Sequence, residues 1–533
     1  MGLPVTLHDI NLIKFLKVNI HSIEFLSEST IDMFINNERV INIKNDTEDT
    51  NILSEIFNPS KEGSLDVLKF WEHLLFDAIR YLKWNDSTEF PLDKLERLNL
   101  NKNSAYERIS VDSLGVNNLK EYFSDFIKFE KLLYGAEQFY RDHVYHIIRV
   151  WLTGQYILHK CINDGFRIFI AEENLNLNNE KRKIYRPASK NKPSLKTKNT
   201  LYKGEEDAIW CIIALTHDLG YPLSKFEKIN DQIKKMTGYF AKSGVEELSF
   251  AFPLQNQFIN DAILRYMSSK IVSGEGKYNV TKKYKTNIQA KYYLKYSRSF
   301  ERFDHGLISC LVLAKNLIYF LETNYDWDDD HFLNKAEARQ FVIRREILRS
   351  IASHTCTEIY HLKPNTFAFL LLISDEMQFW GRPTFETLAT GVQKQYTVEL
   401  KRFDGKEVSF EIRSNHVDNN AKKETLNSFF MTKVKMFKQI FRIAVDSAER
   451  DFDMNMCIYD ELGDKYQFIY KKDQPPRIEL NGIVYNNHND IQDLGMILNE
   501  GKKYAERHKM YGKYKEGREN IRNTSASRRK SGI

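Results

Sequence analysis

Two apolar runs in this chain end on ionisable side chains that neither run can bury unaided. Ile209–Leu215 is followed by Thr216, His217 and Asp218, and Phe367–Ile373 by Ser374, Asp375 and Glu376. Apolar runs of this kind belong inside a core. An aspartate carried to the end of one is strongly destabilising unless an opposite charge, hydrogen bonds or a metal ion receives it. The chain must therefore fold so that these ends meet partners. Three further segments offer them: Asp142-His143-Val144-Tyr145-His146-Ile147-Ile148-Arg149-Val150, Asp304-His305-Gly306 and Ala352-Ser353-His354-Thr355. Facing helices of a bundle commonly bring such side chains together around metal. Imidazole and carboxylate donors suit Mn, Fe, Zn, Co or Ni, and one carboxylate can bridge two ions. No cysteine stands within the pattern at zinc-finger spacing.

Hydrophobic periodicity places these segments on helices. Apolar residues recurring at three and four predict helices over 119–133, 136–162, 205–217, 305–323, 335–353 and 366–379. Leu68–Leu82 reads as an amphipathic helix in the same way. The spacing predicts a small α/β module near the C-terminus. Residues 395–413 alternate apolar and polar on both sides of Asp404-Gly405, a hairpin signal. Residues 464–486 are of similar character, and Leu426–Val445 is helical by period. The expected class is mainly α: a helical N-terminal region (1–115), a helical bundle (116–395), the α/β module (396–500) and a basic, disordered tail (501–533).

At 533 residues the chain exceeds a single core, and 42% hydrophobic residues exclude wholesale disorder. Its formal charge of +6 is unevenly placed. The tail holds eleven Lys/Arg and three Glu, a net +8 that leaves the first 500 residues at −2. A uniformly basic nucleic-acid binder is thereby excluded. Two basic segments interrupt the helical centre. Residues 181–203 carry nine Lys/Arg and no acid; residues 270–302 interleave Lys282, Lys283, Lys285, Lys291, Lys295 and Arg298 with Tyr278, Tyr284, Tyr292, Tyr293 and Tyr296. They read as solvated insertions, or as a positive rim for a polyanion with tyrosines stacking on bases. Apolar runs fall well short of the roughly twenty residues that span a bilayer, and no leader pattern opens the chain. Five widely spaced cysteines suit reduced thiols. The expectation is a cytoplasmic protein with no membrane segment.

The ordered pattern His … His-Asp … His … His … Asp resembles the HD-domain superfamily of metal-dependent phosphohydrolases. His146-Ile-Ile-Arg-Val is similar to the opening helix of that family. Leu215-Thr-His-Asp-Leu-Gly is similar to its central motif, and Asp375-Glu-Met-Gln-Phe-Trp-Gly-Arg to its closing helix. The likeness covers roughly residues 119–390. It implies an HD-type helical bundle in which His146, His217, Asp218 and Asp375 hold one divalent metal. His305 and His354 would hold a second, with Asp218 as the bridge; Mg joins the ions named above as a candidate. It further implies hydrolysis of a phosphoester or phosphoanhydride of a nucleotide or nucleotide-derived substrate through a metal-activated hydroxide. Asp218 and His143 would be catalytic, His143 as proton donor or as a positioning partner. Arg149, Lys225 and Arg382 are the candidate substrate contacts. Arg149 can equally be a structural ion-pair partner and Arg382 a loop anchor. Where many members carry Lys four residues after the central His, this chain has Tyr221. A nuclease acting on single-stranded nucleic acid and a non-catalytic nucleotide sensor are the competing expectations. His159, His331 and His361 read as surface or packing residues, Asp326–Asp330 as a solvated loop, and Asp304 as an N-cap.

Overall fold

The computed structural model describes residues 5–36, 63–86, 115–136, 141–160, 204–240, 254–274, 283–322, 332–356, 365–382, 396–404, 406–414, 453–459, 465–471 and 477–485, with Ile168, Ile170 and Leu201. Strand β1 (Val5–Leu7) precedes helices α1 (Asp9–Asn19), α2 (Glu28–Asn36), α3 (Gly63–Asp86), α4 (Val116–Ala136), α5 (Val144–Lys160) and α6 (Glu205–Thr216). Then come α7 (Tyr221–Ser224), α8 (Phe226–Phe240) and α9 (Leu254–Ser268), followed by the hairpin of β2 (Ser269–Gly274) and β3 (Lys283–Ile288). The bundle is completed by α10 (Ala290–Glu301), α11 (His305–Asn316), α12 (Ile318–Leu321), α13 (Lys335–Ser353) and α14 (Phe367–Met377). Six strands end the described chain: β4 (Tyr396–Phe403), β5 (Glu407–Ser414), β6 (Asp453–Tyr459), β7 (Lys465–Tyr470), β8 (Arg477–Leu480) and β9 (Ile483–Tyr485).

Three helices form the centre because they are apolar almost all round. In α5 every residue from His146 to Leu158 is buried; in α6 so is Ala208 to Thr216, and in α14 Phe367 to Ser374. Gly154 lets α5 and α6 touch: a Cβ there would run into the Trp210 ring. The Trp210 indole Nε1 donates to Trp151 O at 2.9 Å. Trp71 of α3 packs from the other side and donates to Leu215 O at 3.0 Å, two residues before His217. The amphipathic helix expected over 68–82 is present, with its apolar face in the core. Trp71, Leu74, Leu75, Ala78, Ile79 and Leu82 are all buried.

Two helix limits differ from the periodic pattern. Residues 141–143 stand outside α5, because side-chain acceptors take its first N–H groups. Glu130 Oε1 accepts from His143 N at 2.7 Å, and Asp142 Oδ1 from Tyr145 N at 3.1 Å. The helix expected over 305–323 breaks at Leu317, whose backbone is extended (φ −115°, ψ 114°), and restarts as α12.

The sheet has the order β1-β4-β5-β6-β7-β8-β9. All pairs are antiparallel except β5 with β6. The hairpin at Asp404 is present, and Asp404 Oδ1 accepts from Lys406 N and Glu407 N, both at 2.7 Å. Besides β2 and β3, which fall in a segment expected only as a basic insertion, two strands of the large sheet carried no signal in the sequence. β6 is one. β1 is the other: it comes from the opposite end of the chain and pairs Val5 with Leu400. The expected helix Leu426–Val445 lies outside the described residues, as do Asp326–Asp330, His331, His361, the tail and all of 181–203 except Leu201. Of the second basic segment, β2, β3 and α10 are described. Among the described residues no helix is long and apolar enough to cross a membrane.

Candidate metal centre

Every histidine and aspartate expected to bind metal comes to one place, at the ends of α6, α11, α13 and α14 and near the start of α5. Two triads have ligand atoms within 4.8 Å of one another: His146, His217 and Asp375, and Asp218, His305 and His354. Asp218 lies between them. Its Oδ2 is 3.3 Å from His217 Nε2 and 3.8 Å from His146 Nε2; its Oδ1 is 3.5 Å from both His305 Nε2 and His354 Nε2. His146 Nε2 also meets Asp375 Oδ1 at 2.8 Å.

Helix ends create this geometry. α6 stops at Thr216, whose hydroxyl turns back to Ile212 O at 2.6 Å. Ser309 of α11 then secures the turn, donating to His217 O and accepting from Gly220 N. Gly220 is required by crowding, since a Cβ would lie 2.6 Å from Ser309 N. His354 caps α13 with Nδ1 against Ile351 O at 2.5 Å. Its other nitrogen, Nε2, faces Asp218 Oδ1 at 3.5 Å.

The far nitrogens decide which ring nitrogen faces inward. His217 Nδ1 lies 2.9 Å from Ala214 O, and His354 Nδ1 has Ile351 O. His146 Nδ1 has Gln378 Oε1 at 2.5 Å, and Gln378 Nε2 donates in turn to Trp380 O. Oxygen acceptors at Nδ1 favour the proton there, the tautomer in which the Nε2 lone pair is aimed at carboxylate oxygens. His217 Nε2 and His354 Nε2 are buried without a hydrogen-bond partner. Lone pairs facing anionic oxygens at these distances repel unless a cation lies between them, so the donor set fits divalent metal.

Burial and charge work against each other here. Burial, with the Arg382 charge, lowers His146 to about 4; burial and neighbouring His354 lower His305 to about 3. His143 is pushed well below the usual imidazole range, chiefly by burial. For His217 burial is outweighed by the Asp218 carboxylate, which raises it. Burial would raise Asp218 and Asp375, but the imidazoles around them hold both below the ordinary carboxylate range.

The remaining candidates divide. His143 is buried and stacks on Tyr221 with ring centroids 3.8 Å apart, 6.1 Å from the His146 ring. Lys225 Nζ lies 4.8 Å from the Tyr221 centroid, and Tyr221 meets His305 edge-on at 5.3 Å. Arg382 is half-buried, with Nε donating to Asp142 O at 3.0 Å. Arg149 is buried, and its fork is held by Asp9 at 3.2 Å and Gly381 O at 2.7 Å. Those partners make it an internal brace, the structural alternative of its two readings. Asp304 precedes α11 but does not cap it; its carboxylate turns back to Ser299 Oγ at 2.5 Å and Arg302 at 3.1 Å. His159 pairs with Asp207 at 3.2 Å, as a packing residue would.

Three residues escaped the sequence reading. Gln378 stands one helical turn beyond Asp375, a spacing that could have marked it. Tyr221 registered only as a departure from the family pattern. Arg141, immediately before Asp142-His143, is lowered by burial and by Arg382, and senses the charges of Glu376 and Asp375. No family model, curated protein or solved structure matches the chain.

Proposed function

We propose that this protein is a metal-dependent phosphohydrolase built on an HD-type helical bundle, acting on a nucleotide or nucleotide-derived phosphoester. One observation carries the reading: the two oxygens of Asp218 each face a different pair of histidine Nε2 atoms. A carboxylate so placed suits bridging two ions, with His146, His217 and Asp375 on one side and His305 and His354 on the other. When bound, such ions supply Lewis-acid charge to phosphate oxygens and lower the pKa of water.

The protein's own side chains then have distinct tasks. Arg382, Arg141 and Lys225 surround the cluster with positive charge to orient phosphate. Tyr221 holds the His143 ring flat against it. His143 stays neutral at pH 7 because burial disfavours its charged form. It therefore serves better as a hydrogen-bond partner or proton acceptor than as a charged acid. The buried walls of α5, α6 and α14 shield the His146 and His217 imidazoles, while His305 stays partly exposed.

A hydrolysis screen over nucleotides and oligonucleotides with Mn²⁺, Co²⁺, Ni²⁺ and Mg²⁺ tests this reading, with Asp218→Ala alongside. Turnover in the parent and none in the variant is expected. A variant that hydrolyses as well as the parent would remove Asp218 from the mechanism. Nucleotide recovered intact from metal-loaded parent would favour the sensor.

A further inference from the structure

Helix α10 and its C-cap residue carry a line of cations that ends three residues before His305. Lys291, Lys295, Arg298 and Arg302 recur at i, i+4, i+7 and i+11, which at 3.6 residues per turn puts them within roughly 60° of one another on the helix surface. Lys291, Arg298 and Arg302 are exposed and Lys295 is half-buried. At 1.5 Å per residue the line is about 16 Å long. Glu301, the one acid on the helix, lies off this line.

The line is held on a firm base. Tyr296 across the helix from it and Ser299 beside it are buried, and Tyr293 OH donates to Asp261 of α9 at 2.5 Å. The preceding hairpin is bolted to α13: Arg345 donates to Ser269 O at 2.9 Å, and Arg349 to Met267 O and Ser269 O. α13 is the helix that ends at His354. At its own end α10 turns through Phe303, whose φ of 53° is left-handed, with Asp304 N donating to Ser299 O at 3.1 Å. That turn sets Arg302 against Asp304, next to His305. The cation line and the metal-ligating imidazole are thus joined through three residues of defined geometry.

The tyrosines narrow what the line can read. Tyr284 and Tyr296 are buried in the core, Tyr293 is tied to Asp261 and Tyr292 is half-buried beside Lys291, which takes the first three out of the base stacking considered for a positive rim. What remains on the exposed face is one cation per helical turn, with Leu294 exposed beside it. Repeating phosphates match that face. It is a single file of charge that ends beside the partly exposed His305, and one strand of phosphates suits a single file better than the two of a duplex.

We propose that the α10 face is a track for the phosphate backbone of single-stranded nucleic acid, delivering a strand end to the metal centre. The fate of the bound strand rests on the hydrolase reading; the binding itself does not. The test is anisotropy of a labelled oligothymidylate with the full chain in EDTA, across a salt series. The variant Lys291→Gln/Lys295→Gln/Arg298→Gln is compared with Arg528→Gln/Arg529→Gln/Lys530→Gln, which removes equal charge from the tail. The track variant should bind at least about tenfold more weakly. Its log–log salt slope should shrink by about two, at about 0.7 per single-strand phosphate contact. The tail variant should change affinity less than about threefold. Parental affinity and slope in the track variant would overturn the proposal, as would equal weakening by the tail variant. Equal competition by a duplex or by inorganic triphosphate, or no binding by the parent at low salt, would do the same. Because EDTA suppresses turnover, absence of hydrolysis elsewhere leaves this result intact.

Discussion

His146 Nε2 and Asp375 Oδ1 lie 2.8 Å apart although 229 residues separate them in the chain. The contact closes the pocket between the first and last of its helices, and the same imidazole reaches Asp218 at 3.8 Å. Removing a side chain here therefore acts on the whole cluster.

Asp218→Asn keeps the shape of the bridge and removes its charge. Elemental analysis after dialysis against Mn²⁺ should show both ions lost, and hydrolysis should fall at least about a hundredfold, beyond what a supporting residue costs. A variant that keeps its metal content would contradict the central placement of this carboxylate.

Gln378 supports His146 from behind, so Gln378→Leu should weaken metal binding by about 10–100-fold while the helices remain intact. Competition against a chelator of known affinity measures this. Unchanged affinity would mean that the Nδ1 contact has no hold on the ligand.

The apo-protein should lose stability as the pH falls below about 6.5. His146 is lowered to about 4, and His143 and His305 are lowered as well. Between the unfolded and folded values the unfolded chain binds more protons, so stability is complete above about 6.5 and declines toward 4. Each such histidine contributes a slope of about 1.4 kcal/mol per pH unit. His217, raised by Asp218, acts in the opposite sense, and its contribution is lost as the pH climbs through its folded value. His159, raised by Asp207 against its burial, joins His217, and both are protonated folded and unfolded below about 6.5, so the three lowered groups set the slope and thermal melts in EDTA should fall from pH 6.5 to 5. A rise over that interval would contradict the buried, neutral state of the three.

Gly220→Ala should loosen the turn beside the pocket. The added methyl meets His305 O, Ser309 N and the Ile308 side chain, two of them backbone atoms that cannot swing aside. Overpacking of this kind costs about 1–3 kcal/mol. The melting temperature should drop and metal binding should weaken together, because His305 must shift; parental values for both would show that the contact relaxes freely.

Arg149→Met leaves Asp9 and Asp142, 3.2 and 3.6 Å from its guanidinium, buried without that charge. Breaking a buried pair in that way costs about 3–5 kcal/mol, and denaturant unfolding should register a loss of that size. A loss under about 1 kcal/mol would mean that the Trp380 indole, 2.6 Å from Asp9, suffices for the carboxylate.

Much of the centre was legible in the chain because buried charge leaves a local signature. Asp218 and Asp375 each follow an apolar run too hydrophobic to be exposed, and that contradiction is visible without coordinates. Helical period located α4, α5, α6, α13 and α14 for the same reason: one buried face repeats at a fixed interval. The hairpin at Asp404 was equally local. Other features depend on distance in space and leave no such trace. β1 joins β4 across almost 400 residues, through backbone hydrogen bonds that nearly any side chain permits. Arg149 could equally have faced phosphate or Asp9 until α1 was packed against α5. The tyrosines of α10 alternate with lysines in the sequence, yet helix rotation buries Tyr296 and exposes Arg298. Residue type and spacing determined which groups could bind an ion. Only the packing of remote helix ends decided that Asp218 would turn one oxygen to each histidine pair, because lone-pair direction depends on where every neighbouring backbone carbonyl lies.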